Sequence, residues 1–211
     1  AGKTTVAQNI VLGYNASQDR IDPDQQLNTL YLSLELSDWY MHKRHIQIVA
    51  DVDKQQVEAN AKQIADDHKE LLDHIIIQTI QPTVEDIAHK IKELDPQVVV
   101  VDYIDLIDAG PSHRGEYEGI RYISHSLSNM AVNNDIIIIQ LSQVSREYSK
   151  NDVLDLYAGK GSGAIENASR KVIGINGQSK DPVKLLSLFK NSDGELFEDV
   201  PLRWRPSFRL R

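Results

Sequence analysis

Two short fragments of this chain carry the residue types of phosphate chemistry. Gly2-Lys3-Thr4 is the last part of the pattern G-x-x-x-x-G-K-[ST]. In that pattern backbone N–H groups cradle phosphate, the lysine reaches the β- and γ-phosphates, and the hydroxyl ligates Mg²⁺. Far downstream, Val98-Val99-Val100-Val101 ends in Asp102, a buried-strand pattern that delivers a carboxylate at its tip. An ionised carboxylate after four valines needs a partner, and a metal ion on a nucleotide would supply one. A bare Gly-Lys-Thr is common by chance; the strand-borne Asp gives it meaning. Gly2, Lys3, Thr4 and Thr5 are therefore expected to hold the phosphates of ATP or another NTP. Thr4 and Asp102 are expected to hold Mg²⁺, Asp102 through water because magnesium dehydrates reluctantly.

Two further residues suit the same place. Ligands of open α/β sheets bind beyond the carboxyl ends of the strands. Glu35 follows the run Leu30–Leu34, and Gln143 follows the run Ile136–Leu141. Glu35 suits a general base that polarises an attacking water, and Gln143 a sensor of the γ-phosphate. The bland alternatives are a helix-start acid for Glu35 and an ordinary surface pair for Lys3 and Thr4. Convergence of four elements on one edge favours the site.

Apolar runs alternate with helical patterns, which reads as an α/β domain with a mainly parallel twisted sheet flanked by helices on both faces. Strands are expected at Leu30–Leu34, Ile75–Ile77, Val98–Val101 and Ile136–Leu141, with Lys171–Ile175 and Val183–Phe189 completing a sheet of about six. Continuous apolar runs suit strands covered on both sides. Val84, Ile87, Ile91 and Leu94 predict an amphipathic helix opened by a capping box of Thr83 and Asp86. Ile120, Ile123, Leu127 and Met130 predict another, and the segment from Val52 to Leu72 a polar one with Val57, Ala61 and Ile64 inward. His42 and His45 sit three apart on a further helix, without additional ligands at metal spacing, and read as a solvated face. Trp39 and Tyr40 read as core or interface residues. The long irregular stretches are Asp108–Glu116 and Ser145–Gly163.

The 211 residues suit one domain with a full core, 1–211. Zero cysteines exclude disulfides and thiolate metal sites and fit a reducing cytoplasm. No apolar run approaches the ~20 residues that span a bilayer, so no membrane partner is expected. The net charge of −8 argues against broad, nonspecific coating of nucleic acid, but not against a narrow basic channel.

The quoted motifs, taken with Ser33-Leu34-Glu35-Leu36-Ser37, Gln140-Leu141-Ser142-Gln143-Val144-Ser145-Arg146, Ser162-Gly163-Ala164-Ile165-Glu166 and Lys190-Asn191-Ser192-Asp193-Gly194, fall in one order along nearly the whole chain. In this the chain resembles the C-terminal, RecA-like P-loop motor domain of DnaB-type replicative helicases. That resemblance implies a hexameric homo-oligomer that hydrolyses nucleotide at subunit boundaries and translocates on single-stranded DNA, with a primase or loader as a further partner. It implies the cytoplasm of a bacterial or phage-infected cell. It implies that the sheet's first strand lies upstream of residue 1, making the chain a fragment of a longer protein. Lys190 resembles the lysine that the family supplies in trans to a neighbour's γ-phosphate. Two residues later the family carries an arginine finger, and here stands Ser192; Arg203, Arg205 and Arg209 are the candidates to replace it. DNA contacts are expected from Arg114, Arg121, Arg146, Lys150 and Lys160, with His113 and the tyrosines 117, 148 and 157 beside them. Two other readings stay open: a RecA/RadA- or KaiC-like ATPase, and a degenerate nucleotide-binding scaffold without helicase activity.

Overall fold

The computed structural model describes residues 2–79, 82–113, 115–144, 162–178 and 181–211. The chain opens with helix α1 (Lys3–Val11), followed by a small hairpin of β1 (Tyr14–Asn15) and β2 (Arg20–Ile21). Next come β3 (Thr29–Ser33), α2 (Asp38–Ala50), α3 (Lys54–Asp67), α4 (Lys69–Leu72), β4 (Ile75–Gln78), α5 (Val84–Leu94) and β5 (Val98–Asp102). The second half adds α6 (Glu116–Asn134), β6 (Ile137–Gln140), α7 (Ser162–Ala168), β7 (Lys171–Asn176), β8 (Val183–Asn191) and β9 (Phe197–Arg203).

Four strands form a parallel sheet in the order β4-β3-β5-β6. Every residue of β3 and β5 is buried, as their unbroken apolar runs require of strands covered on both faces. Side chains alternate across the pleat. Leu30, Leu32, Val99 and Val101 pack with Ile87 and Ile91 of α5 and with Ile123 and Leu127 of α6. Tyr31, Val98 and Val100 face the other way, onto Ala7 and Val11 of α1 and Met41 and Ile48 of α2. The sheet thus lies between two helical layers, with α1 and α2 on one side.

Local sequence fixes where the helices begin. Ser37 caps α2 by accepting from the Tyr40 amide, and Thr83 with Asp86 forms the expected capping box at α5. Asp53 and Gln56 form another at α3. The 52–72 segment is two helices instead of one, bent at Asn60, and of its apolar stripe only Val57 is fully buried.

The expected sheet of about six is corrected. Strands β7, β8 and β9 form a separate antiparallel sheet. Only residues 177–182 join β7 to β8, and a parallel pair needs a crossover of roughly a dozen residues or more. Among the described residues β6 is an edge of the parallel sheet, and its Ile137 is 54% exposed. A side-chain bond from Gln140 Nε2 to Ser169 Oγ, 3.0 Å long, links the end of β6 to the residues just before β7.

After β9 the chain folds back over α1 and α2. Asn9 Nδ2 donates to the carbonyl of Phe208 at 2.9 Å. Arg209 donates to the carbonyls of Ile48 and Val49 at 2.7 and 2.9 Å, placing a cation at the carbonyl end of α2, where the helix dipole favours it. Arg205 bonds Asp19 at 2.6 Å and Asp51 at 3.1 Å. This strap fixes α1, the β1–β2 hairpin and the end of α2 to one another.

Candidate nucleotide site

Lys3 and Thr4 begin α1, with Gly2 in the left-handed conformation at its N-cap (φ 111°). The first N–H groups of a helix have no partner within it, and with the helix dipole they attract anions. A Cβ at Gly2 would collide with the indole of Trp204. Glycine therefore fits this position on both conformational and steric grounds.

Asp102 ends β5 opposite Ser33, and only 4% of its surface is exposed. It faces the α1 layer, as Val98 and Val100 do, which brings it to the start of α1. The Thr4 hydroxyl hydrogen-bonds its carboxylate, and Tyr31 Oη donates to Oδ2 at 3.0 Å. Burial raises the Asp102 carboxyl above the usual carboxylate range; the bonds from Thr4 and Tyr31 and the field of Lys3 pull it down, and Glu35 adds to the rise. Burial wins, so this acid is held at a cost that a bound cation would offset. Lys3 Nζ lies 5.4 Å from the ring centroid of Tyr103, directly after Asp102.

Glu35 lies two residues past β3, exposed and close enough to act on Asp102 electrostatically. Its turn is tied down from both sides: Leu34 N donates to the Asp102 carbonyl at 2.8 Å, and Ser33 Oγ to the Leu36 carbonyl at 2.5 Å. The structure thus gathers Gly2, Lys3, Thr4, Glu35 and Asp102 at one end of the sheet. Thr5 is buried one residue further into α1. Gln143 follows β6 beyond the same edge and is exposed; the turn after β5 joins that region through Ile104 N and the Leu141 carbonyl, 2.9 Å apart.

A Mg²⁺ ion fits this donor set. Among the described residues no group of three or more His, Cys, Asp or Glu is placed to hold a metal. Magnesium bound to a nucleotide needs no such cage, because one or two protein oxygens and the phosphates suffice.

Other expected residues are placed differently. Lys190 Nζ donates to the Glu166 carbonyl at 2.6 Å, and Ser192 Oγ to the Arg170 carbonyl at 3.0 Å. Arg205 and Arg209 are engaged within the chain by the carboxy-terminal strap, which removes them as free replacements for a finger; Arg203 is exposed. Arg121 is exposed on α6. His113 stacks on Tyr122 with centroids 4.1 Å apart. Arg114, Arg146, Lys150, Lys160, Tyr148 and Tyr157 lie outside the described residues. His45 corrects the solvated-face reading: it is fully buried against Tyr31, while His42 is exposed. Trp39 is not core, being 59% exposed beneath Lys43.

Tyr31 and Trp204 are the site neighbours that sequence reasoning missed. A tyrosine within a strand buried on both faces signals a hydroxyl in need of a partner; nothing in the sequence links Trp204 to Gly2.

The family described as the DnaB-like helicase C-terminal domain matches residues 1–207. The chain belongs to this family. Over 114 residues, 53% of its length, it is 35% identical to the replicative DNA helicase DnaB of Treponema pallidum (strain Nichols). That match spans 25% of the relative, so the chain corresponds to a part of such a protein. Among solved structures, a helicase-type ATPase domain shares its fold, with TM-score 0.75 at 20% identity over 98% of this chain and 78% of that one. A DnaB-like replicative helicase, solved in a study of its interactions with primase, superposes with TM-score 0.79 at 20% identity over 98% of this chain and 53% of that one. Membership in the DnaB-like family accounts for the RecA-like arrangement of the parallel sheet.

Proposed function

We propose that this chain is the nucleotide-hydrolysing motor of a replicative DNA helicase, working at the subunit boundaries of a six-membered ring that moves on single-stranded DNA. The observation that carries this reading is the meeting of Lys3, Thr4, Glu35 and Asp102 at one sheet edge in a DnaB-like chain. The nucleotide is ATP or another NTP. A primase or loader is a partner by analogy with the family. The setting is the cytoplasm of a bacterial or phage-infected cell; no described helix is long and apolar enough to cross a membrane.

The chain's own groups divide the work. N–H groups at the start of α1 bind phosphate oxygens, and Lys3 neutralises the β- and γ-phosphates. Thr4 and Asp102 hold Mg²⁺, which when bound offsets charge on the phosphates. Glu35, exposed at the mouth, takes a proton from the attacking water. Gln143 contacts the γ-phosphate and couples its presence to β6. Lys190 and a neighbour's arginine complete the charge from across a subunit boundary. Arg121, with Arg114, Arg146, Lys150 and Lys160, tracks the DNA backbone.

Unwinding of a forked DNA duplex by the full-length protein with ATP tests this. Strand separation that is abolished in Glu35→Gln, with nucleotide still bound, supports the motor. Nucleotide binding without turnover or unwinding under any condition would leave an assembly scaffold instead. The engagement of Arg205 and Arg209 within the chain is the observation that favours that second reading.

A further inference from the structure

Tyr31 is fully buried in β3, directly opposite Val100, while Ser33 stands opposite Asp102. Residues of one parity share a face of the sheet, so Tyr31 and Asp102 are diagonal neighbours on the side covered by α1 and α2. The tyrosine hydroxyl spans that diagonal to reach Oδ2 at 3.0 Å. The ring is braced by His45, which meets it edge-on with centroids 5.9 Å apart. Thr4 approaches the same carboxylate from α1. A carboxylate at a strand end turns easily about its last torsion, which has only broad, two-fold preferences. A buried donor on one oxygen removes that freedom.

We infer that Tyr31 is a positioning residue: its hydroxyl fixes the rotation of the Asp102 carboxylate and thereby sets the Mg²⁺ affinity of the site. The inference rests on the reading of Thr4 and Asp102 as the Mg²⁺-holding pair. Groups that orient a metal-holding carboxylate typically account for roughly 10–100-fold in affinity or activity. Burial, with Asp102 adding to it, pushes the Tyr31 hydroxyl well above its ordinary range, so it remains a donor. A tyrosine kept only to satisfy its own hydroxyl would affect stability and leave metal affinity alone.

The test is binding of ADP to the full-length protein, first without metal and then across a Mg²⁺ series, with Mn²⁺ binding followed by electron paramagnetic resonance. Tyr31→Phe keeps the ring and its packing on His45. It is expected to bind metal-free ADP as the wild type does while its Mg²⁺ and Mn²⁺ midpoints rise about tenfold or more. Val100→Ala, in the same layer, should lower the melting temperature without moving either midpoint. Unchanged midpoints in Tyr31→Phe would overturn the inference. So would an equal shift in Val100→Ala, or loss of metal-free binding in Tyr31→Phe, each of which marks a structural role. Absence of any Mg²⁺ effect in the wild type would instead defeat the reading of the site itself, and the inference with it.

Discussion

The indole of Trp204 fills the space that a side chain at Gly2 would need. Those residues lie at opposite ends of the chain, and the strap through Phe208 and Arg209 holds them together. The start of α1 is therefore shaped by the last residues of the sequence. Gly2→Ala faces both the collision and a left-handed backbone (φ 111°), which alone costs about 1–2 kcal/mol for a residue with a Cβ. The expected outcome is a lower melting temperature and at least a tenfold weaker ADP affinity, read by calorimetry.

The same contact provides an optical readout. The chain has two tryptophans, and Trp39 is exposed on α2. In a Trp39→Phe background the remaining indole is Trp204, and its emission is expected to change on addition of ADP. The change should disappear when Lys3→Ala removes binding. Fluorescence that is unaltered while ADP is bound would place the nucleotide away from Gly2.

His45 gives the protein a definite acid sensitivity. Burial, with smaller contributions from His42 and His74, lowers its pKa from 6.5 to about 3. The unfolded chain then takes up this proton first as pH falls, so the contribution to stability is complete above pH 6.5 and is lost progressively toward pH 3. Melting temperatures measured from about pH 7.5 down to about pH 5 should fall in the wild type. In His45→Leu the fall should be shallower, whatever the variant's stability at neutral pH.

Arg209 should be the most costly residue of the carboxy-terminal strap to truncate. Its guanidinium donates to two carbonyls at the end of α2 and lies 3.4 Å from Asp51, with its side chain only 11% exposed. Arg209→Ala leaves those acceptors without their charged donor, a loss of about 3 kcal/mol. Urea denaturation would register it. Lys90→Ala, which breaks an exposed pair with Glu93, should barely register.

Legibility in this sequence follows its strongest local signals. The four-valine run marks β5 and its terminal carboxylate because nothing else suits so apolar a run ending in Asp102. The capping box at Thr83 marks the start of α5 to the residue. The second sheet is harder to read, because β7 and β8 have the same apolar character as central strands and only the brevity of residues 177–182 sets them apart. His45 is hidden because the spacing of two histidines does not say which one turns inward. Contacts such as Tyr31 with Asp102 and Trp204 with Gly2 depend on register and on the return of the tail, and neither is written in any local stretch.

The central claim is that Lys3, Thr4, Glu35 and Asp102 form one hydrolytic site that answers to DNA. ATP hydrolysis by the full-length protein, with and without single-stranded DNA and alongside Lys3→Ala, tests it most directly. The account predicts Mg²⁺-dependent turnover that rises with DNA and is lost in Lys3→Ala. Turnover indifferent to Lys3, or none with or without DNA, would contradict it.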